Sequence, residues 1–387
     1  MTRLSVNWNY PTAIKAGPGR IRELPQHCRQ LGMKRPLLVT DPGLATLPMV
    51  AGVVANCREA GLECAVFSHI KGNPTGTNVQ DGVAAYKAGG HDSVIAFGGG
   101  SGLDAAKAIA LVAGQSRPLW DFEDIGDNYL RAEVNAIAPI LAVPTTAGTG
   151  SEVGRASVIT DEAEHVKRII FHPRMLPGLV ILDAELTTGL PARLTAATGM
   201  DALSHNLEAL CSPVHHPMAT GIAVEGIRLV RQHLPGAVRD GGDIDARHHM
   251  LVASSMGATA FQKGLGAMHA LAHPLGALYD AHHGMLNAIL MPYVLLANRD
   301  LVNEKMTRTA RYLGLADASF QGFLDWVLRL RDDVGIPHTL RDIGIPDDRA
   351  DAIGHMAVAD ASASTNPIPF TPAQYTDILH NALDGRL

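Results

Sequence analysis

Cysteine is scarce in this chain. The four residues (Cys28, Cys57, Cys64 and Cys211) form no CxxC pair and no framework spacing, which excludes a disulfide-held scaffold and points to reduced thiols in a cytosolic setting. No basic run is present and the formal net charge is −6, which argues against nucleic acid as a partner. No segment has the uninterrupted apolar length of a membrane span, so no membrane partner is expected. The first residues, MTRLSVNWNYPTAIKAGPG, lack the apolar core of a secretory signal. The expected location is therefore the cytoplasm. Internal repeats and low-complexity tracts are also missing.

What is present is a globular composition. The chain has 387 residues, 47% of them apolar and 18% charged, enough for a large core and for two domains. Residues 1–20 read as two short extended pieces broken by Pro11 and Pro18 and placed at a sheet edge. IRELPQHCRQLG (21–32) reads as a helix ending at Gly32, and PLLVTD (36–41) as a buried strand tipped by Asp41. Residues 49–60 read as a helix stopping at Gly61, and CAVF (64–67) as a strand. The Pro/Gly turn GNPTGTN (72–78) precedes a helix over about 79–88. Alternation of strand and helix implies a parallel sheet. The expected fold is an α/β, Rossmann-like nucleotide-binding domain over 1–187. Residues 188–387 read as an all-α second domain, with helices at 192–211, 217–233, 243–262, 264–279, 284–299 and beyond.

Three strand ends carry loop chemistry. VIAF (94–97) runs into Gly98, Gly99, Gly100 and Ser101, and a helix with Asp104 and Lys107 in its first turns follows. Glycines let backbone N–H groups approach a diphosphate, and the helix N-terminus adds partial positive charge. The pattern is neither GxGxxG nor a Walker loop, and a simple strand-to-helix connection looks the same. IAPILAVPTTAGTGSEV (137–153) is a strand followed by a loop whose Thr145, Thr146, Thr149 and Ser151 hydroxyls suit phosphate, ribose or adenine edges; such clusters are often only loops. Asn73, in the GNPTGTN turn, joins these candidate cofactor contacts. Asp41 can accept hydrogen bonds from an adenosine ribose and repel a 2′-phosphate, favouring NAD over NADP. Equally, it can cap the helix after Pro42. ASVITD and VKRIIF (within 155–171) read as a hairpin, and LVILDAELTTGLP (179–191) as the last strand and the exit from the domain.

The second half holds a different cluster. Asp201 and His205 in GMDALSH, and His269 and His273 in GLGAMHALAHPLG, are each spaced i,i+4, which puts each pair on one helix face. His282 and His283 follow. A carboxylate and three imidazoles form a donor set for a divalent transition metal. With 18 histidines in the chain a chance pair is no surprise, but these sit among small apolar residues, where neutral imidazoles need partners. Spacing leaves open which of His269 and His273, and which of His282 and His283, would bind.

GMDALSH, GLGAMHALAHPLG and HHGMLNAILMP together resemble the iron-dependent (group III) alcohol dehydrogenase family. GGGSGLDAAK, PTTAGTGSE and TNP (365–367) extend the resemblance over nearly the whole chain. It implies Asp201, His205, His269 and His283 as metal ligands and His273 as the proton-relay residue near the nicotinamide. It implies NAD as cofactor, NADP less so, with Fe²⁺ as the metal and Zn²⁺ as the alternative. Lys167 stands where the family has a lysine that reaches the nicotinamide ribose. A homodimer or larger homo-oligomer is implied too, with the N-terminal strands as a contact. The implied activity is hydride transfer between a small primary alcohol or diol and the nicotinamide. The alternatives are a metal- and NAD-dependent lyase or cyclase of the dehydroquinate-synthase type, and a non-catalytic protein on the same fold. The chain departs from the family after GSE, where Val153, Gly154, Arg155 and Ala156 replace a Thr and an aromatic or hydrophobic residue. An isolated arginine is expected at the surface. Gln262 and Lys263 are candidates for lining the pocket, and His282 for supporting His283.

Overall fold

The computed structural model describes Tyr10 and residues 12–387. The extended piece expected before Tyr10, and with it that part of the expected dimer contact, lies outside the described residues. Tyr10–Gly189 forms one compact unit and Leu190–Leu387 another.

In the first unit the elements run β1 (Ala13–Ala16), α1 (Leu24–Gln30), β2 (Pro36–Val39), α2 (Pro42–Ala45), α3 (Pro48–Glu59), β3 (Ala65–Phe67), α4 (Gly76–Ala88), β4 (Ser93–Gly98), α5 (Gly100–Val112), β5 (Ile140–Pro144), β6 (Ala156–Asp161), β7 (Val166–Phe171) and β8 (Leu179–Leu182). Six strands form a wholly parallel sheet in the order β1-β8-β5-β4-β2-β3. Every residue of β2, β4, β5 and β8 is buried, as continuous apolar runs in a sheet covered on both faces must be. β6 and β7 pair antiparallel as the expected hairpin. The chain adds β3 on one side of β2 and then crosses to place β4 on the other. β2 and β4 therefore flank the topological switch point, outside whose carboxyl ends open α/β sheets bind ligands.

Two early helices differ from expectation. The run 21–32 splits into a 3₁₀ turn, Arg20–Glu23, and α1, because the Asp183 carboxylate accepts from Gly19 N at 3.0 Å and Ile21 N at 2.9 Å and pins that turn. Helix α4 starts at Gly76 rather than 79, because Thr75 and Asn78 form a capping box.

The second unit is helical: α6 (Ala192–Cys211), α7 (Pro217–Arg239), α8 (Ile244–Ala260), α9 (Ala267–Tyr279), α10 (His283–Ala297), α11 (Arg299–Tyr312), α12 (Phe320–Asp333), α13 (Ala350–Ala359) and α14 (Pro372–Asp384). Helix α7 continues through Pro235, past the expected end at 233, because it packs along both α6 and α8; that contact outweighs the cost of an interior proline, about 3 kcal/mol. Helix α9 begins at Ala267, not 264, since Gly264 sits at φ 93° and Gly266 is extended. Among the described residues no helix is long and apolar enough to cross a membrane.

Candidate metal centre and nucleotide loops

Three helices of the second unit bring the cluster together. Asp201 and His205 lie on α6, His269 and His273 on α9, and His283 opens α10. Gly284 lets α10 meet α6: a Cβ there would stand 2.5 Å from the Ala197 carbonyl oxygen. One donor atom from each of Asp201, His205, His269 and His283 lies within 4.8 Å of the others. Asp201, His205 and His269 are buried and His283 is half-buried. His283 Nε2 is 3.7 Å from Asp201 Oδ1, and the His205 and His269 rings stack at 4.7 Å.

The polar groups behind these donors were not anticipated. Glu208, one turn beyond His205, is buried at 3% exposure and accepts from His269 Nδ1 at 2.6 Å. Its other oxygen accepts from Met268 N at 2.7 Å, and Asn366 accepts from Ala267 N at 3.1 Å. Together they satisfy the first N–H groups of α9, which has no cap of its own. Gly266 makes room, since a Cβ there would lie 2.8 Å from Asn366 Oδ1 and 3.0 Å from Glu208 Oε1. Burial pushes the His269 imidazole down, but the carboxylates of Glu208 and Asp201 reverse this and hold it above the ordinary histidine value. His273 turns Nδ1 to Asp360 at 2.8 Å. Burial raises the Asp360 carboxyl, while the His273 ring and the Ser362 N–H more than offset this and hold it below the ordinary range. Asn287 lies 2.8 Å from Asp201 Oδ1. His282 is the N-cap of α10, accepting from Met285 N at 3.3 Å. Lys263 is buried and its Nζ donates to Thr220 at 3.0 Å.

Glu208 had a readable signal, since it shares the α6 face with Asp201 and His205 at i+7 and i+3. Asp360 had none, being 87 residues from His273. A second group, His233, Asp245 and His249, gathers on the surface of α7 and α8. There the His233 and His249 rings stack face to face, 4.0 Å apart and 5° from parallel.

In the first unit Asp41, residues 98–101 and residues 145–151 lie at or just beyond the carboxyl ends of β2, β4 and β5, while Asn73 lies between β3 and α4 and Lys167 lies in β7. Gly98 has φ 145° and Gly99 is the N-cap of α5 without a side-chain cap, which leaves the N–H groups of the first turn facing the loop. Side chains at these glycines would collide with the neighbouring loop: a Cβ at Gly99 would lie 3.3 Å from Thr146, and one at Gly100 only 2.3 Å from Thr149 Oγ1. Thr145 is buried and its N donates to Gly98 O at 2.9 Å.

Several candidates are engaged internally. Ser151 donates to Asp104, which also accepts from Val158 N at 2.9 Å and lies 3.4 Å from Lys107. Lys107 is buried and donates to the Ser151 and Ala156 carbonyls. These contacts fasten the Thr/Gly loop and the hairpin to α5. Ser101 donates to Gly72 O, and Lys167 Nζ donates to Asn73 Oδ1 at 2.9 Å. Asp41 caps α2 by accepting from Leu44 N at 2.9 Å. Arg155 is not freely solvated: it is half-buried, with its guanidinium 5.4 Å from the Phe171 ring centroid, because the hairpin supplies an aromatic face for it to stack on.

Comparison with known proteins covers almost the whole chain. Residues 11–184 match the family described as iron-containing alcohol dehydrogenase, and residues 195–383 its C-terminal domain. The chain is 40% identical to 4-hydroxybutyrate dehydrogenase of Cupriavidus necator, over 97% of this chain and 99% of that protein. It is 34% identical to the NAD-dependent methanol dehydrogenase of Bacillus methanolicus, over 97% and 100% of the two chains. A solved structure of a 1,3-propanediol oxidoreductase superposes with a TM-score of 0.93 at 37% identity, covering 98% of this chain and 100% of that one.

Proposed function

The chain belongs to the iron-containing alcohol dehydrogenase family, and from that premise we propose an NAD-dependent alcohol dehydrogenase and aldehyde reductase that uses a divalent metal. The observation that carries the reading is the convergence of Asp201, His205, His269 and His283 on one point from three helices. Three imidazoles and one carboxylate, mostly buried and backed by Glu208, fit a divalent transition ion in donor type and number. We assign Fe²⁺ to this set from the family, with Zn²⁺ as the ion that the same donors would also accept.

A bound divalent ion supplies Lewis acidity that lowers the pKa of an alcohol, and oxidised nicotinamide supplies the hydride acceptor. The chain's own residues do the rest. Glu208 keeps the proton on His269 Nδ1 and leaves Nε2 free to donate. His273, oriented by Asp360, takes the alcohol proton in oxidation and returns it in reduction. In the nucleotide-binding unit, the N-terminus of α5 and its glycines suit a diphosphate. We place Asn73, Gly98, Gly99, Gly100, Ser101, Asp104, Thr145, Thr146, Thr149, Ser151 and Lys167 around the cofactor. Asp104, as acceptor, and Ser151, as its donor, act there by holding the loop. Asp41 spends one oxygen on α2, and its charge beside Gly98 favours NAD over NADP.

The relatives' names denote primary alcohols (4-hydroxybutyrate and methanol), so the proposed substrate is a small primary alcohol or diol. A homo-oligomer and a cytoplasmic address belong to the same reading. The lyase alternative is not favoured, since the matched relatives are dehydrogenases and reductases by name. The test is anaerobic purification, elemental analysis and NADH absorbance with Fe²⁺ and a panel of alcohols and diols. Metal near one per chain and NADH formation, both lost in His269→Ala, is the expected result. Metal binding without net NADH from any alcohol overturns the dehydrogenase reading.

A further inference from the structure

Asp245 and His249 on α8 repeat the i,i+4 carboxylate–imidazole spacing of Asp201 and His205, so they share one face of that helix. His233 reaches the same place from α7, which packs along α8. One donor atom from each of the three lies within 4.8 Å of the others. Asp245 Oδ2 is 3.4 Å from His249 Nδ1 and 4.0 Å from His233 Nδ1. None of the three belongs to the buried group of Asp201, His205, His269 and His283.

The charge balance here differs from that of other surface carboxylates. Asp121, Glu225 and Asp347 each pair with an arginine. The Asp245 carboxylate is 77% exposed, and among the described residues the basic groups within 4.0 Å of it are the two imidazoles alone. A neutral imidazole offers a lone pair rather than a positive charge, so the three groups together present two lone pairs and one negative charge to a cation. His249 Nδ1–H donates to the Asp245 carbonyl oxygen at 2.8 Å, which leaves the lone pair of the neutral ring on Nε2. Ligating imidazoles normally make such a bond through their other nitrogen. Imidazole ligates in its ring plane. With His249 held by its bond to the backbone, the half-buried His233 ring is the one that turns about Cβ–Cγ, out of the stack, to meet the same ion.

We propose that His233, Asp245 and His249 form a second cation site, separate from the buried group, for a divalent transition ion of the Zn²⁺ type. Two imidazoles and a carboxylate are a donor set such an ion accepts, with water completing the shell. Three donors at the surface hold an ion more weakly than four in the interior, so this site fills from added ion rather than carrying one through purification. Once filled it ties α7 to α8. Both helices pack on α6, which carries Asp201, His205 and Glu208, so an ion that binds only the folded helices stabilises the scaffold of the helical unit. The inference does not depend on the activity proposed above.

Zn²⁺ alone, titrated into the full-length protein by equilibrium dialysis, tests this. Wild type is expected to take up about one Zn²⁺ per chain that His233→Ala, Asp245→Asn and His249→Ala bind at least about 10- to 100-fold more weakly. His269→Ala should keep that ion, which separates this site from the buried one. His248→Ala, next along α8 but outside the group, should keep it too. Zn²⁺ should also raise the melting temperature of His269→Ala, and adding His249→Ala to that variant should abolish the rise. Far-UV circular dichroism checks that the surface variants fold, and their alcohol oxidation should match wild type. An extra Zn²⁺ that persists in Asp245→Asn and His249→Ala, its absence from wild type, or equal loss in His248→Ala overturns the proposal. Equal uptake by wild type and His269→Ala overturns the metal reading of the buried group instead, a distinct result.

Discussion

The Glu208 carboxylate controls which nitrogen of His269 carries the proton, and Glu208→Gln isolates that control. In the native site both carboxylate oxygens accept, one from Met268 N at 2.7 Å and one from His269 Nδ1 at 2.6 Å. A glutamine of the same size has one acceptor end and one donor end. Met268 N–H can only donate, so it takes the amide oxygen, and the amide NH₂ is left facing His269 Nδ1. The neutral imidazole must then accept at Nδ1 and carry its proton on Nε2, the nitrogen 3.1 Å from Asn287 Nδ2 in the donor cluster. A protonated Nε2 cannot bind a metal. The expected loss is at least the 10- to 100-fold typical of a removed supporting contact, or about 1.4–2.7 kcal/mol. The hydrogen-bond count is unchanged, so the metal-free fold is expected to lose only about 1–2 kcal/mol, from replacing a charged acceptor with a neutral one. Glu208→Ala is the contrasting case. It strands the Met268 N–H and opens a cavity, costing about 1–3 kcal/mol from the orphaned donor alone, yet it leaves Nδ1 free to keep its proton. The tautomer argument therefore predicts opposite orders: Ala is the less stable variant and Gln the weaker metal binder. Chelator competition and metal-free thermal melts measure the two quantities. Glu208→Gln binding metal within about twofold of wild type, or Ala binding more weakly than Gln, refutes the reasoning.

Other consequences follow from the same geometry. His273→Ala should lower turnover by about 10²- to 10⁴-fold, the range for a lost general acid–base, with metal content unchanged by elemental analysis. Because the Asp360 carboxyl is held below its ordinary value, its contribution to stability is complete above about pH 4 and is lost as pH falls through the lower folded value; the melting-temperature difference between wild type and Asp360→Asn should shrink below that pH. Burial, with Lys305 nearby, pushes Lys263 down from 10.5 to about 8. The unfolded chain therefore binds the extra proton between those values, and wild-type stability should rise with pH across that window relative to Lys263→Met, by about 3 kcal/mol in total. A flat difference between the two denaturation series would contradict the burial argument. Gly284→Ala places a methyl 2.5 Å from the Ala197 carbonyl and 3.1 Å from Asp201 Cβ; it should cost about 1–3 kcal/mol and weaken metal binding by moving α10 off α6.

Much of this was legible along the chain. The largely apolar runs at β2, β4, β5 and β8 read as buried strands, and their alternation with helices implied a parallel sheet. The i,i+4 spacing of Asp201 with His205 and of His269 with His273 fixed which side chains share a helix face, because that follows from helical repeat alone. What spacing could not say is where those faces point. His282 and His283 are adjacent in sequence, yet one caps α10 and the other faces Asp201; that depends on where the helix begins. The same holds for Asp41, whose capping of α2 depends on where that helix begins.

The donor types and their local pairing were thus properties of the sequence, since neighbours within a turn are brought together by backbone geometry. Their convergence was not. Glu208 reaches His269 across 61 residues, Asp360 reaches His273 across 87, and Asn287 reaches Asp201 across 86. No local rule encodes those distances. They arise only when the helices of the second unit pack and their buried polar groups must find partners in one another.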